Sequence, residues 1–140
     1  MRRLAVVAAA VVLMSCAPSS VPAMRITRSS AVQENHYPAF DRSIDDAAAV
    51  RRVSDAVRAL PPAPQGRSCP ASLGLRYRLS FNEAARVVLS VVVEGDGCAQ
   101  VIFTEADRRA TDDAFWGLLA ESLGVKPADI YNVRPAEVTR

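Results

Sequence analysis

Histidine occurs once among the 140 residues, as His36, and glycine only six times. A bound transition metal needs several converging ligands, and no second histidine is present to join the first. No carboxylate spacing matches a calcium loop. A Ser–His–acid relay would have to run through His36, and no Gly-x-Ser-x-Gly elbow presents a serine. A glycine-rich phosphate loop is missing too, because Gly95-Asp96-Gly97 reads as a hairpin turn. The chain also lacks an excess of one charge. Arg2 and Arg3 belong to the leader described next, and without them the 17 basic residues become 15, against 15 acidic ones. A neutral domain has no electrostatic footprint for nucleic acid. The reading at this point is no catalytic set, no metal, no cofactor and no nucleic-acid partner.

What is there begins at the first residue. Arg2 and Arg3 precede an apolar run over residues 4–14. Those 11 residues make a helix of roughly 16 Å, against a bilayer core of about 30 Å. The run is too short to span and fits a signal peptide, with the arginines on the cytoplasmic side. It ends in Leu13-Met14-Ser15-Cys16, which resembles the lipobox of bacterial lipoproteins. Met14 is bulkier than that pattern usually carries. The resemblance implies cleavage before Cys16 and attachment of acyl chains such as palmitate to it. Each buried methylene contributes about 0.8 kcal/mol, so several chains anchor firmly. The expected place is extracytoplasmic, anchored to the cell membrane by lipid.

If Cys16 is lipidated, Cys69 and Cys98 are the two thiols left. In an exported domain such a pair is expected to form a disulfide. The division expected is a signal peptide over 1–15, a lipid-anchored tether and loop over 16–40 with a candidate strand at 24–27, a domain over 41–126, and a C-terminal tail over 127–140.

Within the domain, Ile44, Ala47, Val50, Val53, Val57 and Leu60 fall at helical spacing, predicting a helix over 44–60. Ser43 is its expected cap with Asp46 three residues on, and the prolines from Pro61 end it. Leu75, Tyr77, Leu79 and Phe81 alternate with polar residues and predict a strand. A second strand over 86–94 and a third over 98–104 follow, joined by the turn at 94–97. A helix over 113–123 ends at Gly124. The fold class is α+β: a small antiparallel β-meander flanked by an N-terminal and a C-terminal helix. The first and third meander strands start at the same end of the sheet, where Cys69 and Cys98 can meet.

Several stretches together resemble a type of small exported protein found in high-GC Gram-positive bacteria. They are Leu60-Pro61-Pro62, Ser68-Cys69-Pro70-Ala71 with Gly74, Tyr77-Arg78-Leu79-Ser80-Phe81, Gly97-Cys98, Phe115-Trp116 and Leu123-Gly124, within residues 44–125. The resemblance supports the paired cysteines and the domain limits and implies no activity.

The Asp45–Asp46 and Asp112–Asp113 pairs sit at expected helix starts, where capping explains them. Arg76 and Arg78 share one strand face and, with Trp116, form the candidate interaction surface; the competing readings are a solvated sheet face paired with Glu94 or Glu105 for the arginines and the edge of the core for Trp116. The first functional reading is a non-enzymatic, lipid-anchored envelope module that binds an envelope protein or a small ligand. The alternatives are a secreted enzyme inhibitor acting through a disulfide-held loop over 69–75, and a small hydrolase using His36.

Overall fold

Strand alternation and helical spacing both place apolar residues on one side of their element, and the fold brings those sides together. The computed structural model describes residues 21–31 and 36–131. The elements are β1 (Ala23–Ser29), β2 (Phe40–Ile44), α1 (Ala47–Ala59), β3 (Arg76–Glu83), β4 (Arg86–Glu94), β5 (Gln100–Ile102), β6 (Arg108–Ala110), α2 (Asp113–Leu123) and a single 3-10 turn over Pro127–Asp129. All strands are antiparallel, in the order β2-β1-β3-β4-β5-β6. The molecule is α+β, as expected. Its sheet has six strands instead of three.

The additional strands have physical causes. In β1, Met24 and Ile26 are fully buried while Arg25 is exposed. The strand pairs with β2 and β3, residue for residue, so it is interior to the sheet. The domain therefore reaches back to Ala23 and is not confined to 41–126. Ile44 belongs to β2, and the helix starts at Ala47. Its cap is Asp46, whose carboxylate accepts from the Ala48 and Ala49 amides at 2.9 and 3.2 Å, and not Ser43. The expected third strand over 98–104 is confined to Gln100–Ile102, and the chain turns through residues 103–107 to return as β6.

One face of the sheet carries Met24, Ile26, Tyr77, Leu79, Phe81, Val91, Val93 and Val101, all buried. Val50, Val53 and Val57 of α1 and Phe115, Leu119 and Leu123 of α2 join the same core. The domain also extends past residue 126. Ile130 is 1% exposed, its carbonyl accepts the Tyr77 hydroxyl at 2.6 Å, and Tyr131 stacks on Trp116 at 4.8 Å. A tail beginning at residue 127 is thus corrected by the packing of 127–131. The expected signal peptide over 1–15, Cys16 and residues 132–140 lie outside the described residues.

Candidate functional site

The segment from α1 to β3 has no regular structure, yet it is fixed at several points. Proline cannot continue the helix, so the chain leaves α1 at Leu60 and runs beside β6. Ala63 donates to the Arg108 carbonyl at 2.8 Å, and Ala110 donates to the Pro61 carbonyl at 2.9 Å. Gly66 then turns the chain with φ +70°. Residues 67–72 follow, all exposed, and Leu75 returns to the core.

Two pins hold this exposed stretch to the turn between β4 and β5. The first is the disulfide between Cys69 and Cys98, with Cα atoms 4.9 Å apart. Cys69 is exposed and Cys98 is buried against the domain. The second is Asp96, the one charged side chain buried among the described residues, at 3% exposure. Its carboxylate accepts from the Ser72 hydroxyl at 2.7 Å, the Leu73 amide at 2.8 Å and the Leu75 amide at 3.1 Å. A buried carboxylate is costly unless hydrogen-bonded, and these three donors compensate it. The Ser72 hydroxyl in turn accepts from the Gly74 amide at 3.2 Å.

Glycines let the two segments touch. A Cβ on Gly95 would lie 2.8 Å from the Leu75 side chain. One on Gly97, at φ +60°, would lie 3.2 Å from the Ser72 Cβ and 3.5 Å from the Pro70 carbonyl oxygen. The turn is braced from below as well. The Ala99 carbonyl accepts from Thr111, and the Trp116 indole donates to the Thr111 hydroxyl at 3.1 Å. The result is an exposed Cys69-Pro70-Ala71-Ser72 stretch with both ends fastened to residues 96 and 98 of one turn. None of residues 67–73 takes a positive φ, and a residue before proline favours extended backbone.

Arg76 and Arg78 lie, as read from the sequence, on the sheet face away from the helices, and both are exposed. Arg76 faces Glu94 across the ladder at 4.0 Å. Arg78 faces Val92 and lines, with Thr27 and Ser29, a shallow hollow of about 250 Å³. Trp116 is not with them. It is 2% exposed and packs edge-on against Tyr77 and Phe115, which places it in the core and not at the candidate interaction surface. His36 is exposed and meets Tyr37 edge-on at 5.7 Å; among the described residues, no hydrogen bond or ion pair joins it to a serine or a carboxylate. Asp112 accepts from the Phe115 amide at 2.7 Å, a helix cap as expected.

Asp96 was visible in the sequence only as part of a hairpin signal. Its flanking glycines and the nearby Cys98 were the available clue that a second segment approaches this turn. The chain matches no protein-family model, no curated protein and no solved structure.

Proposed function

We propose that this chain is an exported, lipid-anchored binding module whose ligand is the substrate cleft of a secreted endopeptidase, and that it acts as an inhibitor through residues 69–72. The α1 and α2 helices and the β3–β6 meander are the scaffold that carries this stretch. The observation behind the reading is the double pinning of an exposed stretch without regular structure to one turn, through Cys69–Cys98 on one side and Ser72–Asp96 on the other.

An endopeptidase binds an extended peptide through main-chain hydrogen bonds and side-chain pockets. A flexible peptide loses conformational entropy on entering such a cleft, and a stretch already fixed in shape loses less. Pinning both sides has a second consequence. If the bond after Ala71 is cut, the Cys69 half stays tied to Cys98 and the Ser72 half stays tied to Asp96. The new ends cannot diffuse apart, so the product is released slowly and the cleft stays occupied. Pro70 and Ala71 are the side chains between the pins, and Ala71 is a methyl group. The enzymes expected are those that accept a small residue at the cut.

The export part of the reading is supported by the apolar run over residues 4–14, by Cys16 in its lipobox-like setting, and by the use of a disulfide in a small domain. The test is titration of the oxidised protein against secreted endopeptidases that cut after small residues. Activity falling to a sharp end point supports the reading. Rapid cleavage within residues 69–73 with no loss of activity contradicts it.

A further inference from the structure

The end of the sheet farthest from the pinned loop has an unusual surface. Three large apolar side chains are well exposed among the described residues: Val21 at 53%, Val87 at 61% and Val88 at 48%. All three lie at this one end. Ala23 pairs with Asn82 and Asn82 with Val87, so β1, β3 and β4 align here in one row, about 10 Å wide at about 4.8 Å per strand. Val21 precedes that row by two residues.

The tip of the β3–β4 hairpin adds to the same surface. Its two turn residues are Ala84 at φ +46° and Ala85 at φ +61°, both exposed. A two-residue turn with both φ positive favours Asn-Gly or Asp-Gly, because a Cβ is strained there. This turn presents two methyl groups where polar residues would be both less strained and better hydrated. Beside it lies a hollow of about 350 Å³, floored by Val50 and Phe81 and rimmed by Pro22 and Val88. Arg51, Arg58 and Arg86 surround this end together with Asp55 and Glu83, so its charges nearly balance.

We infer that this end, formed by Val21, Ala84, Ala85, Val87 and Val88, rests on the lipid surface to which Cys16 is attached. The inference rests on the lipid-anchor part of the proposed function. The length of chain between them identifies the occupant. Four residues separate Cys16 from Val21, and five steps of extended chain reach at most about 18 Å. An acyl group on Cys16 therefore keeps Val21 and the end it belongs to within about 18 Å of the bilayer. The near balance of charge makes the contact apolar, so it needs no anionic lipid. Strand β3, eight residues long, spans about 26 Å at about 3.3 Å per residue. The Cys69 loop lies at its far end and is thereby presented outward.

The test uses the full lipidated chain in phosphatidylcholine nanodiscs doped with a headgroup-nitroxide lipid, read residue by residue as loss of amide NMR signal. The expected result is selective loss at Val21, Ala23 and residues 83–88, with the non-proline amides of residues 67–73 unaffected. A variant carrying Val87→Asp and Val88→Asp should stay with the discs and lose that selectivity. Uniform loss along the domain, or loss centred on residues 67–73, overturns the inference while leaving the anchor intact. An unmodified Cys16 and a chain that does not float with the discs overturn the anchor reading and this inference together.

Discussion

Asp96 reaches across 23 positions of sequence to hold Leu73, its carboxylate accepting the Leu73 amide at 2.8 Å. The same oxygen accepts the buried Leu75 amide at 3.1 Å, so one side chain closes the loop and starts β3. Asp96→Ala leaves these donors without a partner, and an unsatisfied buried donor costs about 1–3 kcal/mol. The expected destabilisation is about 2–3 kcal/mol by urea unfolding, together with faster cleavage of the loop by endopeptidases. Wild-type stability and wild-type resistance would show that Asp96 does not hold the loop.

The disulfide makes a separate prediction. It closes 29 residues of chain, worth roughly 3–4 kcal/mol in the chain-entropy account. Cys69→Ser with Cys98→Ser should lower stability by that order. Because the pin on the Cys69 side is then gone, the proposed inhibition should be lost and the 69–73 stretch should be cleaved. Loss of stability with undiminished inhibition would mean that the fold, and not the pin, carries the activity.

Trp116 and the strand arginines should behave in opposite ways. Trp116 is buried between Tyr77, Phe115 and Tyr131, so Trp116→Ala should cost about 3–5 kcal/mol. Arg76 and Arg78 are exposed, and Arg76→Ala or Arg78→Ala should change stability by no more than about 0.5 kcal/mol. Thermal melts of the three variants decide this. A small effect of Trp116→Ala would place that ring outside the core.

Much of this fold was legible in the sequence, for reasons that differ between elements. The α2 helix was read at its true limits because its cap, apolar stripe and terminal Gly124 all agree. Strand β4 was equally plain in its valines. Strands β1 and β2 were harder to read. Only Met24 and Ile26 mark the buried face of β1, and β2 shows no buried residue at all. Their place in the sheet is set by long-range pairing, which no local pattern records. The paired cysteines were legible from their number. The Asp96 pin was not, since its donors lie more than 20 residues away.

Stability should fall at both ends of the pH scale. Asp46 is held below the usual carboxylate range by the Ala49 and Ala48 amides, Asp41 by its hydrogen bonds with Arg25, and Asp107 by those with Arg109. A folded-state value below the unfolded one gives stability that is present above about pH 4 and lost as pH falls through the depressed values. Burial raises the Tyr77 hydroxyl above its ordinary value. That contribution is intact below about pH 10 and is lost as pH rises beyond it. Melting temperature against pH should therefore decline below pH of about 4 and above about 10; a rise in either region would contradict these assignments.

The most direct measurement compares wild type with Ala71→Asp against a secreted endopeptidase that cuts after small residues. Ala71 is exposed between the two pins, so the substitution should leave the melting temperature unchanged. Wild type should inhibit tightly and stoichiometrically, and Ala71→Asp should not. Equal inhibition by both proteins, or none by the wild type against such enzymes, would contradict it.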